Sequence, residues 1–150
     1  NIIMKTYMNL GLSLTVGLFF SLSANAQKTT ITLAELPAKS QVFLKKHFGT
    51  ETPTYIIKDK ETFSTDYKVQ FANKIEVEFD GNGDWEEVDG HHTAIPTAIV
   101  PAKIASYVKT NFKDAQVTSL DKGRWGYEVN LNNGLELEFD SAGKFLRIDD

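Results

Sequence analysis

The feature that most constrains this chain is its similarity to itself. Leu36 to Phe48 reads LPAKSQVFLKKHF and Val100 to Phe112 reads VPAKIASYVKTNF, with five of 13 positions identical at an offset of 64. Tyr67 to Asp80 reads YKVQFANKIEVEFD and Tyr127 to Asp140 reads YEVNLNNGLELEFD, with seven of 14 identical at an offset of 60. Two such blocks in the same order imply a duplication, with four residues lost from the second copy between helix and second strand.

Each copy opens with a helix. Pro37 and Pro101 suit a first helical position, where no N–H is needed. Ile104, Val108 and Phe112 recur four apart with Tyr107 on their face, and Leu44, Phe48 and Phe43 do the same in the first copy. Pro96 and Thr97 predict a short turn ahead of the second helix. Strand periodicity follows: Tyr67, Val69, Phe71 and then Ile75, Val77, Phe79 face in, matched by Tyr127, Val129, Leu131 and Leu135, Leu137, Phe139. Ala72-Asn73-Lys74 and Asn132-Asn133-Gly134 read as hairpin turns, the asparagines and the glycine supplying positive φ. Strands over 55–59 and 117–121, and over 85–89 and 145–149, complete four per copy; the spacing of Trp85 and Val88 predicts a bulge. Phe63 and Trp125 share parity with Tyr67 and Tyr127 and are expected to extend the core, with exposed binding anchors as the alternative. The fold class is α+β: two tandem helix-plus-four-antiparallel-strand units, 27–90 and 91–150, forming one curved sheet with helices on one face.

Residues 1–26 read as a cleaved export signal, with Asn1-Ile2-Ile3 an upstream start-site artefact. Met4 and Lys5 precede an uncharged run from Leu10 to Leu22, and Ala24-Asn25-Ala26 places small residues where a signal peptidase reads them. That run of 13 residues is shorter than the roughly 20 a membrane span needs. Gln27 stands where a lipoprotein would carry cysteine, so no membrane insertion is expected after cleavage. The sequence contains no cysteine, which excludes disulfides, thiolate metal sites and cysteine nucleophiles. From Gln27 onward there are 15 basic and 20 acidic residues with no basic patch, which argues against nucleic acid as a partner.

The order of a Leu/Val-Pro helix ending in Phe, Tyr-x-Val-x-Leu/Phe, an Asn or Gly turn, x-Glu-x-Glu-Phe-Asp, a glycine turn and an aromatic resembles the PepSY-like family. These are small exported bacterial proteins with a fold similar to that of the beta-lactamase inhibitor protein. The resemblance covers about Leu33 to Asp150. It implies a periplasmic (or secreted) module that binds or restrains a protein or peptide through an exposed sheet face. This chain lacks the cysteines of the namesake inhibitor, so inhibition of a beta-lactamase is not carried over.

The outward residues of the strand blocks are the candidate binding set: Lys68, Gln70, Glu76, Glu78, Glu128, Asn130, Glu136 and Glu138. They cannot be core, since unpaired buried carboxylates are too costly, so one sheet face should be wet and acidic. No catalytic residue is assigned, because general acid–base work needs a desolvated carboxyl and a flat wet sheet offers none. No metal site or cofactor is assigned either. Asp80-x-Asn82-x-Asp84 opens like a calcium loop but places Trp85 where glycine is needed and His91 where the last acid should stand, so it reads as a hairpin turn. His91-His92 reads as linker polarity, and His47 lies on a helix. The expected function is a non-catalytic exported binding or inhibitory module; the alternative is a small-ligand or cation-binding periplasmic protein using the seam between copies.

Overall fold

The computed structural model describes residues 26–49 and 51–149; the expected export signal lies outside the described residues except for Ala26. The chain forms β1 (Gln27–Thr30), α1 (Ala38–Phe48), β2 (Tyr55–Lys60), β3 (Thr65–Gln70), β4 (Glu76–Phe79) and β5 (Trp85–Asp89). It continues with α2 (Ala102–Asn111), β6 (Val117–Lys122), β7 (Gly126–Leu131), β8 (Glu136–Asp140) and β9 (Phe145–Asp149). Single 3-10 turns, Leu33–Glu35 and Thr97–Ile99, precede the helices. The class is α+β. All nine strands form one open antiparallel sheet whose spatial order is the chain order.

Residue alternation decides what each sheet face carries. Reading the register from β2 to β9, Ile56, Val69, Val77, Val88, Leu120, Val129, Leu137 and Ile148 lie opposite one another in a single cross-strand row. All but the edge residue Ile148 are buried. The row crosses the β5–β6 pairing, where Val88 faces Leu120, so both halves share one core. Burying each such side chain is worth roughly 1.5–3 kcal/mol relative to exposure.

The helices meet this face through aromatic contacts that recur in each half. Phe43 of α1 packs edge-on against Phe79 at 5.6 Å and stacks near Trp85 at 6.1 Å. Tyr107 of α2 packs edge-on against Phe139 at 5.5 Å and stacks on Phe145 at 4.5 Å. Ser40, Leu44 and Phe48 are the buried residues of α1, Ile104 and Val108 those of α2. Bulges interrupt β4–β5 and β8–β9 at the same place, after Glu78 and after Glu138, the first where the Trp85–Val88 spacing predicted one.

Four details differ from the sequence-based expectations. Pro37 and Pro101 are N-caps, one residue ahead of the first helical position, because their ψ values of 141° and 139° are extended while their carbonyls already accept the N–H groups of Gln41 and Ala105. In the β3–β4 and β7–β8 turns the positive φ falls on Lys74 and Gly134. Asn73 and Asn133 act instead through their side chains, whose oxygens accept the backbone N–H groups of Ile75 and Leu135 at 3.1 Å. A ninth strand, β1, was not anticipated: its polar, fully exposed sequence has no alternation to read, and it is held by backbone pairing to β2 and by Lys28–Asp59 at 3.3 Å.

The fourth concerns Phe63 and Trp125, expected in the core but 100% and 80% exposed. Both lie in hairpin tips, closed by Glu61 N–H to the Ser64 carbonyl and by Gly123 N–H to the Gly126 carbonyl, each at 2.9 Å. Strand parity does not propagate through a turn, so their sequence phase with Tyr67 and Tyr127 carried no information about side-chain direction.

Gly83 and Gly134 both hold positive φ, 86° and 88°, but in different surroundings. A Cβ on Gly83 would sit 2.6 Å from Pro37 Cβ and 2.8 Å from Ser40 Oγ, whereas one on Gly134 would meet nothing within 4 Å. Gly134→Ala should therefore cost about 1–2 kcal/mol from backbone strain alone. Gly83→Ala should cost more, because the β4–β5 turn must also lift off α1. Urea denaturation of the two variants checks this, and equal losses would contradict the close approach.

Candidate functional site

One residue over from the apolar row, on the opposite face, a second row crosses the sheet: Ile57, Lys68, Glu78, Glu87, Asp121, Glu128, Glu138 and Arg147. Five consecutive members are acids on five consecutive strands, β4 to β8. Neighbouring strands lie about 4.7–4.9 Å apart, and like charges directly opposite are destabilising. The flanking row adds Gln70, Glu76, Asp89, Ser119, Asn130, Glu136 and Asp149.

Cations cap the acid run at both ends. Lys68 Nζ lies 2.8 Å from Glu76 and 2.7 Å from Glu78. Its hydrogen bonds to these two carboxylates hold its pKa well above the ordinary lysine range. Arg147 contacts Glu138 Oε1 at 2.6 Å. Between the caps the carboxylates repel. Partial burial, then Glu78, Asp121 and Asp89, push Glu87 above the usual carboxylate range despite Lys68. Asp121 is raised by burial and by Glu78. Glu128 is raised by burial, then by Glu136, Asp121 and Glu138. The face thus concentrates negative charge in a shallow, solvent-reached setting suited to holding cationic groups.

All eight residues of the candidate set lie on this face, half-buried except for exposed Glu128. The register brings Lys68 opposite Glu78, Gln70 opposite Glu76, Glu128 opposite Glu138 and Asn130 opposite Glu136. Sequence reasoning missed the residues that join the two sets, Glu87, Asp89, Ser119 and Asp121. Alternation around Val88 and Leu120 could have marked them as outward. That β5 pairs with β6 was the missing step, and no local signal announces it.

The other candidates resolve into turns. Asp80 Oδ1 accepts the N–H groups of Asn82 and Asp84, each at 2.9 Å, and Asp140 Oδ1 accepts those of Ala142 and Lys144 in the same way. His91, at φ 55°, donates its N–H to Asp89 Oδ1 at 2.7 Å, and its ring lies 3.0 Å from Asp89 Oδ2. His47 packs against Phe43 at 4.6 Å on α1. Among the described residues no three His, Asp or Glu side chains converge as a metal site would require.

This one-sided sheet matches known proteins. The family model described as "Putative beta-lactamase-inhibitor-like, PepSY-like" matches residues 65–147, and the chain belongs to that family. A solved Bacteroides thetaiotaomicron protein described as a "putative calcium-regulated periplasmic protein" is 38% identical with a TM-score of 0.78, over 82% of this chain and 97% of that one. A Bacteroides vulgatus "putative periplasmic protein from DUF2874 family" is 35% identical with a TM-score of 0.78, covering 83% and 98%. A further B. vulgatus "putative periplasmic protein of unknown function" is 33% identical with a TM-score of 0.77, covering 83% and 100%. Among curated proteins none matches.

The raised carboxylates carry a sign. A group whose folded pKa exceeds its unfolded one binds protons more tightly when folded, so stability falls as pH rises from the unfolded value through the folded one. For Glu87 and Glu128 that interval opens at the ordinary 4.5 and extends upward. These carboxylates therefore add stability as pH falls from 7 to about 5, while His47, held below the usual histidine range by burial and then by Lys46, opposes them in the same window. Added salt at pH 7 should raise Tm through screening. Glu87→Gln should raise Tm at pH 7 and flatten both responses. Thermal melts of both proteins across pH and salt read the difference, and a Glu87→Gln response identical to that of the native protein would refute the repulsion.

Proposed function

We propose that this chain is a non-catalytic exported module that binds, and in doing so restrains, a protein or peptide through the open sheet face. The observation that carries the reading is the row of five acids, Glu78, Glu87, Asp121, Glu128 and Glu138, on adjacent strands. A fold requires polarity on its wet face; it does not require one sign at five successive strands, where the charges oppose stability. Cationic groups of a partner would relieve that repulsion, and Glu76, Glu136, Gln70 and Asn130 would add polar contacts around them.

The same reading takes residues 1–26 as the leader and 27–90 and 91–150 as duplicated units. The recurrence of the Phe43–Phe79–Trp85 arrangement as Tyr107–Phe139–Phe145 supports it. Residence in the periplasm, or outside the cell, is supported by the names of the similar solved proteins. No described helix is long and apolar enough to cross a membrane.

A second reading, cation binding, is favoured by the description of the B. thetaiotaomicron relative as calcium-regulated. One pair of experiments separates them. Affinity capture from envelope extract with the native protein and with Glu76, Glu78, Glu136 and Glu138 all changed to lysine should retain a partner only on the native face. Calcium should shift Tm by no more than magnesium does. Partners unchanged by the reversals would refute the face, and a large calcium-specific shift would favour the second reading.

A further inference from the structure

The open sheet has two edges, and they are finished differently. On one, β1 presents Gln27, Lys28, Thr29 and Thr30, all polar and exposed. On the other, β9 is last in the sheet and exposes Leu146 at 55% and Ile148 at 43%. Ile148 ends the inner apolar row, opposite Leu137, and is the one member of that row left accessible.

The first half shows what covers the equivalent edge. β5 and β9 hold the same place in their halves: Val88 faces Val77 and Ile148 faces Leu137, each following the same bulge. The far side of β5 is paired antiparallel with β6, which sets Leu120 opposite Val88 and leaves Val88 fully buried. Nothing among the described residues does this for β9. An edge with unpaired N–H and C=O groups is a template for another strand. A strand that set an aliphatic residue opposite Ile148 would continue the core row, as Leu120 does for Val88.

β9 is itself such a strand. Two copies of β9 paired antiparallel keep inner side chains opposite inner ones only when the pairing is centred on a residue. Centred on Arg147 it sets arginine against arginine, and centred on Asp149 it sets aspartate against aspartate. Centred on Ile148 it sets Ile148 opposite Ile148 and Arg147 opposite Asp149 twice. Charges on an edge strand ordinarily guard it; these two, opposite in sign and two residues apart, attract in that register. From this we infer that β9 is a self-complementary docking edge whose partner is a second copy of this chain, joined antiparallel with Ile148 on the two-fold axis. β1 of another copy is a poorer match, because it has no apolar residue to set against Ile148 and a β9–β1 contact would propagate without closing. In the β9–β9 dimer the two sheets become one, with both wet faces on the same side. The inference stands whether or not that face binds a partner.

One short strand pair buries less than the roughly 1,200 Å² of a standard interface, so the dimer should be weak, dissociating as protein falls from about 1 mM to about 10 µM. Sedimentation velocity over that range reads it. Asp149→Arg should weaken the dimer about tenfold or more by setting arginine against Arg147. The new side chain faces Glu136 in its own sheet, so Tm should hold or rise and unfolding is not the cause. Adding Arg147→Asp to it should restore association to within about threefold. A second reading uses the absence of cysteine from the sequence. Residues opposite each other in an antiparallel pair have Cα atoms about 4.5–5.5 Å apart, within the span of a disulfide. Ile148→Cys treated with glutathione disulfide should therefore become a covalent dimer, at least about tenfold faster than Val42→Cys, which is exposed on α1. A monomer at every concentration, species growing beyond the dimer, equal cross-linking of the two cysteine variants, or a double variant that associates no better than Asp149→Arg overturns the inference.

Discussion

Nine strands hydrogen-bonded in chain order can hide apolar side chains on only one face, and two helices are available to cover it. The register therefore does two things at once. It lines up Val69, Val77, Val88, Leu120, Val129 and Leu137 beneath the helices, and one residue over it lines up Lys68, Glu78, Glu87, Asp121, Glu128 and Glu138 above them in water. Magnitudes decide which row dictates the fold. Each buried aliphatic contributes roughly 1.5–3 kcal/mol, while an unfavourable cross-strand charge pair costs about 0.2–1 kcal/mol. A one-residue slip that separated the acids would turn the apolar row to solvent. The acid row is thus tolerated as long as the hydrophobic row holds the strands in place.

Most of this was legible from periodicity. Strands 85–89 and 145–149 fall where alternation and the turn residues put them, and the eight outward residues of the two blocks all lie on the wet face. The failures have one source: local patterns stop at turns and do not report on pairing. Phe63 and Trp125 kept strand parity in the sequence but sit in hairpin tips, where the pleat no longer sets direction. The polar strand β1 has no alternation to read and exists because β2 offers a free edge. Glu87 and Asp121 join the site because β5 pairs with β6 across the connection carrying α2. That contact is set by the continuity of Val88 with Leu120 in the core, a tertiary fact with no local sequence signature.

The halves agree where they pack and diverge where they do not. Phe43 and Tyr107, Phe79 and Phe139, Trp85 and Phe145 exchange one aromatic for another in the same contacts. Where packing does change, it changes with compensation. Ser40 lies buried on α1 and donates its hydroxyl to the Gly83 carbonyl at 3.1 Å, whereas Ile104 on α2 is fully buried beside Gly143. A hydroxyl in that place is permissible only because the turn supplies an acceptor.

On the wet face the exchange is one of charge: Lys68 of the first half stands as Glu128 in the second, and Glu87 of the first half stands as Arg147. Lys68 bridges Glu76 and Glu78, and in the second half it is Arg147 that contacts Glu138. A core position constrains its substitute by volume and hydrogen bonding, so divergence there is narrow. An exposed strand position constrains little, and the commonest outcome of free substitution is mixed charge. The exchange instead moves the cation from β3 to the edge strand β9 and leaves Glu87, Asp121 and Glu128 as neighbours at the centre of the sheet. The cost of that run is small enough for the buried row to bear. The repulsion is therefore concentrated between the two caps, where β5 pairs with β6 and the same register that joins Val88 to Leu120 sets Glu87 opposite Asp121.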